Sequence, residues 1–440
     1  MNSMIKMELE DYSAEDSTHF FDLYHKNSFK EPPRTTWIDG WKIEYMAIAS
    51  PETLHQTPTL IVGGAFQNFN SYKYCVEQLF EKGPVILIDL PSLGSNQQIH
   101  NRDTGISAGT LELPELSKML GQWLDLVEIN KVSVMGMSLG SVVASCFAHY
   151  RPELVDRLIL MGVMQKTRKS WRMLLEESLI LMQEQRMDEF GQAVILYLVN
   201  HAKLDQTRMS PTAKRLFYKQ MSEFDIAERE RYEINCNRLL RLSHVPIPMC
   251  KTLVACGQFD SFTLPFENAN FALQCPDVEF AMIANADHVP QLQRRKETMN
   301  LFTSFLKGES IHNLDGIIYL DKDQMQSLDR RGEVRFALKN AHSVLIHQTN
   351  AQRFEVEIKD LNYFGVSFFL DDPSQVEVLQ EDARSFAIEF EDEQGHFAVE
   401  CLMFDFIGNE VRALFKHGYF EVADRLLQFI DTHKHNDSVD

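Results

Sequence analysis

The stretch that most restricts this chain runs from Lys131 to Ala144, Lys-Val-Ser-Val-Met-Gly-Met-Ser-Leu-Gly-Ser-Val-Val-Ala. Lys131 to Met135 is short, apolar and β-branched, which predicts a buried strand. Ser141 to Tyr150 reads as a helix with small residues on the face toward a sheet. Between them stands Gly136-Met137-Ser138-Leu139-Gly140, a G-x-S-x-G. A strand that turns this sharply into a helix holds Ser138 in a strained conformation. The flanking glycines are needed because a Cβ there would strike the neighbouring strand or helix. The turn presents Ser138 Oγ at the carboxyl end of a sheet and at a helix N-terminus, where free N–H groups favour a developing negative charge.

The chain around this turn alternates short apolar runs with helical patterns. Strands are predicted at Thr59–Val62, Val85–Ile88, Leu158–Met161, Thr252–Cys256 and Val278–Ile283, and helices at Tyr72–Phe80, Leu111–Leu126, Phe266–Leu273 and Arg294–Leu306. Asp39-Gly40 marks a two-residue hairpin within Trp37–Ala49. Such alternation predicts a mainly parallel sheet covered on both faces, with its chemistry at the carboxyl ends of the strands. A polar lead-in, residues 1–30 with a short helix at His19–Tyr24, precedes it. From 165 to 245 Met, Leu, Glu, Arg and Gln dominate and strand signals vanish. That predicts a helical lid inserted over the turn. Its apolar residues (Leu174, Leu175, Leu179, Leu181, Met182, Ile195, Leu196, Leu198) either line an acyl pocket or pack the lid, and apolar helical stripes favour packing.

A serine hydroxyl becomes a nucleophile when a base takes its proton and a carboxylate orients that base. Ser138, Asp260 and His288 occur in the required order, the last two in loops directly after predicted strands. Asp287 is a poor rival acid because it adjoins His288, and Asp89 is better placed to pin its own loop. Oxyanion donors are expected at Leu139 N–H and, from the turn after Thr59–Val62, at Ala65 N–H, with Phe66 next. These residues require no metal and no cofactor for catalysis.

A chain of 440 residues exceeds one ordinary core. Its formal net charge of −20 disfavours DNA, RNA or anionic membrane surfaces. Seven scattered cysteines without a C-x-x-C pair read as reduced core residues of a cytoplasmic protein. No apolar run is long enough for a membrane span, and the acidic Met1 to Ser17 predicts neither a signal nor a transit peptide. Oligomeric state is left open.

Over about residues 35–307 these motifs resemble the α/β-hydrolase superfamily. Val62-Gly-Gly-Ala65, Ile88-Asp-Leu-Pro91 and Cys256-Gly-Gln-Phe-Asp-Ser-Phe-Thr263 resemble its rhamnolipid-precursor synthases. The resemblance implies an α/β hydrolase fold at 31–307, and a serine acyl hydrolase or acyltransferase acting on an acyl ester or thioester, with 3-hydroxyacyl chains as candidates. The competing class is a non-catalytic effector that uses the hydrolase body for docking.

After a linker at 308–324 the texture becomes β. Strands are predicted at Val334–Leu338, Ser343–Gln348, Phe354–Ile358, Val366–Leu370, Phe386–Phe390 and Phe397–Phe404, and a helix at Phe420–Ile430. This gives an all-β six-stranded barrel with a C-terminal helix at 325–440. Arg331-Gly-Glu-Val-Arg335, beside Arg330, precedes Asp360-Leu-Asn362-Tyr-Phe-Gly365. Guanidinium forks suit phosphate and the guanine edge, Asp accepts from guanine N–H groups, and Gly365 lets backbone approach a ligand. The pair resembles the PilZ family of cyclic di-GMP receptors, with Asn362 where that family usually has Ser. The resemblance implies cyclic di-GMP as a regulatory ligand held by Arg330, Arg331, Arg335, Asp360, Asn362 and Gly365. Binding is expected to draw the barrel against the lid.

Overall fold

A computed structural model describes residues 20–207, 209–330 and 332–439, without the side chains of 435–439. His19 therefore lies outside the described residues. The rest of the expected lead-in helix is a short strand, Asp22–Leu23, paired in parallel with Trp41–Ala49.

The first half is one ten-stranded sheet. Its centre runs Val85–Asp89, Thr59–Val62, Val132–Met137, Val155–Met161, Thr252–Gly257, Val278–Ile283, all parallel. Trp41–Ala49 and its hairpin partner Arg34–Ile38 flank one side antiparallel. Asp39 and Gly40 both have positive φ, as a two-residue hairpin turn of this hand demands. Successive side chains of the central strand feed opposite faces: Val132 and Val134 join one core with Trp123 and Phe147, Met135 and Met137 the other with Phe302 and Phe305. The expected helix at Tyr72–Phe80 is broken, a 3₁₀ turn Phe69–Tyr72 followed by Val76–Leu79. Part of the expected linker is sheet: Ile317–Leu320 pairs antiparallel with Val278–Ile283 and forms the far edge.

The lid is helical as expected, chiefly Lys169–Gln183, Met187–Leu198, Pro211–Ser222 and Ile226–Arg241. Arg238 is fully buried beneath it, its guanidinium donating to Leu111 O, Ala108 O, Ser92 Oγ and Asn235 Oδ1. The first three acceptors belong to the body and fasten the last lid helix to it, while Asn235 lies on that helix itself. Leu175, Leu181, Met182 and Leu198 pack within the lid's own core, Ile195 joins Val289, and Leu196 enters the core of the second domain. These side chains pack as apolar helical stripes do.

The second domain is a closed six-strand antiparallel barrel with a C-terminal helix, Phe420–His433. The ring comprises His342–His347, Phe386–Asp392, Gly395–Ile407, Glu410–Phe415, Gly365–Leu370 and Arg353–Asn362. Two details differ from expectation. Arg335–Leu338 pairs outside the ring with Arg353–Asn362, and the unforeseen Glu410–Phe415 takes its place. Glu410-Val-Arg-Ala-Leu-Phe415 alternates in burial, but its two-residue separation from the preceding strand hid it as a continuation.

The barrel is already seated on the lid. Arg384 pairs with Glu176 and Glu177, Lys416 bridges Glu177 and Glu400, and Tyr197 Oη donates to Phe415 O at 2.8 Å. These contacts join the second domain to the lid helices Lys169–Gln183 and Met187–Leu198. All seven cysteines are unpaired. Among the described residues no helix is long and apolar enough to cross a membrane.

Candidate functional site

Ser138 caps the helix Leu139–Tyr150 with φ 50° and ψ −117°. A Cβ on Gly140 would stand 2.2 Å from Val62 O, and one on Gly136 2.6 Å from Gly140 O. No other residue fits either place, so the strained turn is built into the backbone. Val62 lies opposite Gly136 in the parallel register, which sets the next turn beside the serine. A Cβ on Gly64 would lie 3.2 Å from Ser138 Cβ. Gln67 holds this turn, its Oε1 accepting from Gly64 N at 2.7 Å and Tyr72 Oη at 2.8 Å. Leu139 is the first residue of its helix, so its N–H lies among those a helix leaves free. The lid closes on the same turn: Phe66 stacks on Tyr232 at 5.5 Å, and Gln220 Nε2 donates to Phe66 O.

His288 Nε2 lies 2.9 Å from Ser138 Oγ, and Nδ1 lies 2.9 Å from Asp260 Oδ2. A carboxylate acceptor at Nδ1 keeps the proton there and leaves Nε2 free to accept from the hydroxyl. Asp260 is held by Phe262 N and Thr263 N at Oδ1 and by Thr263 Oγ1 at Oδ2. The register that sets Gly257 opposite Ile283 brings both loops to one edge. Burial favours the neutral imidazole, but the charge and hydrogen bond of Asp260, with Asp287 behind it, outweigh burial and raise the His288 pKa above its ordinary value. Ser138, Asp260 and His288, drawn from three distant stretches, thus form one hydrogen-bonded chain.

The rival acids are occupied elsewhere. Asp287 accepts from Val289 N, Gln293 Nε2 and Asn200 N, and burial pushes its carboxyl up to about 7. Asp89 accepts from Ser95 N at 2.6 Å, and burial pushes it up to about 8. Sequence reasoning missed Thr263 and Asn200. Thr263 had a signal in its position three residues after Asp260; Asn200 had none beyond a polar residue ending an apolar helix.

In the barrel, Arg335 Nε donates to the Asp360 carboxylate and Nη2 to Asp360 O. Asn362 Oδ1 accepts from Phe364 N and Gly365 N, and its Nδ2 donates to Glu333 O at 3.2 Å. Arg330 lies over the Phe266 ring of the first domain at 5.5 Å. Arg331 lies outside the described residues. At Gly365 a Cβ would stand 2.5 Å from Ala413 O, so the neighbouring strand by itself requires glycine there. Arg335, Asp360 and Asn362 therefore share one patch, satisfied by each other and by Glu333. Among the described residues no cluster of His, Cys, Asp or Glu is arranged to hold a metal ion.

Residues 57–294, just over half the chain, match the family model for the alpha/beta hydrolase fold. A poly(3-hydroxyalkanoate) depolymerase of Ectopseudomonas oleovorans is 29% identical over 127 residues, 29% of this chain. The chain spans only 41% of that relative's length. Among solved structures, the alpha/beta hydrolase MGS-M2 from a Medee basin deep-sea metagenome library superposes with TM-score 0.52 at 16% identity, covering 64% of this chain and all of that one. A thermophilic esterase of Thermogutta terrifontis does so at 0.52 and 19% identity, covering 63% and 98%. At these identities the structural likeness speaks for the fold.

Proposed function

The chain belongs to the alpha/beta hydrolase fold family, and on that premise we propose that it is a serine acyl hydrolase or acyltransferase. The hydrogen-bonded chain Ser138–His288–Asp260 at the strained turn carries this reading. Ser138 Oγ attacks the acyl carbonyl while His288 Nε2 takes its proton. The oxyanion is received by Leu139 and Ala65 N–H, a donor pair in which each member contributes on the order of a hundredfold in rate. Collapse expels the alcohol or thiol, which leaves with the proton from His288. Water or an acceptor hydroxyl, deprotonated by the same nitrogen, then releases the acyl group. Asp260 holds the imidazole in the required tautomer throughout.

Ester and acyl-thioester substrates with 3-hydroxyacyl groups fit two observations. The Ectopseudomonas relative is named for a poly(3-hydroxyalkanoate). A cavity of about 180 Å³ beside Ala65 and Phe66 is walled by Ser92, Ser95, Gln97 and Arg231, groups that suit a hydroxylated rather than a purely aliphatic chain. The unpaired cysteines favour a reducing, cytoplasmic setting. A fluorophosphonate probe tests the reading: the native protein should label and Ser138→Ala should not. Equal labelling would favour the docking-effector alternative.

The second domain we read as a cyclic di-GMP sensor that modulates the first. Arg335, Asp360 and Asn362 converge on one patch, and Arg330 on the same segment reaches the hydrolase domain. Calorimetric titration with cyclic di-GMP should give binding heat that Arg335→Ala removes. Absent heat with the native protein rejects the sensor and leaves the hydrolase standing.

A further inference from the structure

Asn200 follows the lid helix Met187–Leu198 and is 1% exposed. Its backbone N–H donates to Asp287 Oδ2 at 3.0 Å. Its Nδ2 donates to Phe259 O at 3.1 Å and to Glu333 Oε1 at 3.2 Å. Both neighbours of that nitrogen are acceptors, which fixes the orientation of the amide. Phe259 precedes Asp260 and Asp287 precedes His288, so one lid residue holds both loops of the triad.

Glu333 belongs to the segment that leads into the barrel. Its carbonyl accepts from Asn362 Nδ2, and its other carboxylate oxygen meets Lys203 Nζ at 3.2 Å. The same segment lies along the acid loop: Arg330 covers Phe266, and a Cβ on Gly332 would stand 2.8 Å from Leu264 Cδ2. The second domain thus reaches both loops of the triad through one buried amide, beside its direct contacts with the acid loop.

We propose that Asn200 is a positioning residue for Ser138, Asp260 and His288, and that Glu333, supplied by the second domain, completes the support. The inference rests on Ser138 being the nucleophile, but not on any ligand of the barrel. Without Glu333 a buried N–H loses its acceptor. The amide relieves that by turning, and turning takes it off Phe259 O as well. The acid loop then keeps its zipper to the histidine loop, Gln258 N to Ile283 O and Phe259 N to Ala286 O, and the lid's bonds to Ser261, but loses the lid's hold on Phe259. The barrel is therefore part of the active site's framework, and the state of Asn362 is felt at Asp260.

The test uses the full chain with Glu333→Ala, Glu333→Gln, Asn200→Ala and the Asn200→Ala/Glu333→Ala double variant. Fluorophosphonate labelling rates, kcat and KM on a nitrophenyl 3-hydroxyacyl ester, and the downfield His288 Nδ1 proton resonance are compared. Loosened positioning should lower kcat and labelling of Glu333→Ala about tenfold with KM nearly unchanged. Glu333→Gln, which keeps the acceptor and loses the charge, should recover most of the loss. The double variant should be no worse than Asn200→Ala, because both break one link. The charged groups facing His288 are Asp260 and Asp287. Weaker pairing with Asp260 should therefore move the acid limb of kcat/KM to lower pH. Unchanged kcat in Glu333→Ala, damage in Glu333→Gln equal to that in Glu333→Ala, or additive losses would overturn the proposal. Should Asn200→Ala fail to fold, the two Glu333 variants decide. Should the native protein label no better than Ser138→Ala, the nucleophile reading fails separately. The His288 resonance then decides: displaced in Glu333→Ala it upholds the support, unmoved it overturns it.

Discussion

Two polar clusters in this molecule are held in opposite ways. At the sheet edge every side chain of the triad is fixed from behind, while its reactive face stays directed at one point. Asp260 receives four hydrogen bonds counting that from His288, and Ser138 Oγ is left with only the imidazole. In the barrel patch the motif residues spend their capacity on each other: Arg335 on Asp360, Asn362 on its own turn and on Glu333. The first cluster is preorganised for a reaction. In the second, a ligand that took up Asn362 would exchange its bond to Glu333, and the support at Glu333 would register that.

The contrast can be broken most forcefully at the acid. Asp260→Asn should keep the fold yet lower kcat by about 10³–10⁴, because an amide no longer holds the required tautomer. Retained activity would mean that Asp260 is structural and that the edge is no better organised than the barrel patch. Glycine replacements sharpen the comparison next. Gly140→Ala forces a Cβ against Val62 O and should abolish labelling together with stability. Gly365→Ala forces one against Ala413 O and should lower the melting temperature of the barrel, by several degrees per kcal/mol lost, while labelling of Ser138 persists. Loss of labelling in both would show that the two regions unfold as one. The smallest effect concerns Asp89, outside both clusters. Its folded pKa of about 8 lies above an unfolded value near 4, so its protonated form is favoured by folding. Stability from that difference is complete below about pH 4 and is lost as pH rises toward 8. Asp89→Asn should therefore gain melting temperature relative to the native protein between pH 5 and pH 8. An equal difference at both values would remove buried charge as the cause.

Much of the hydrolase half was readable because its constraints are local. Gly136 and Gly140 bracket a serine in five residues, and Gly257 to Asp260 and Ala284 to His288 each follow an apolar run. The barrel was readable in strand number but not in membership. Arg335–Leu338 and Glu410–Phe415 have similar alternation, and only closure of the ring decides which belongs to it. The strand's need for Gly365 was hidden for a related reason: a glycine is equally needed where a ligand or a strand comes close, and only the fold shows Ala413 O beside it.

The amino-acid order alone determined the strained turn at Ser138, the order of its partners and the β character of the last hundred residues, since each depends on neighbours within a few positions. Tertiary structure decided that the barrel rests on the lid, that Leu196 is buried in the other domain, and that Asn200 meets Phe259, Asp287 and Glu333. The contacts of Asn200 join residues more than fifty positions apart through one buried polar group. Such groups leave no periodic trace along the chain, because only the folded surfaces on either side make their pairing favourable.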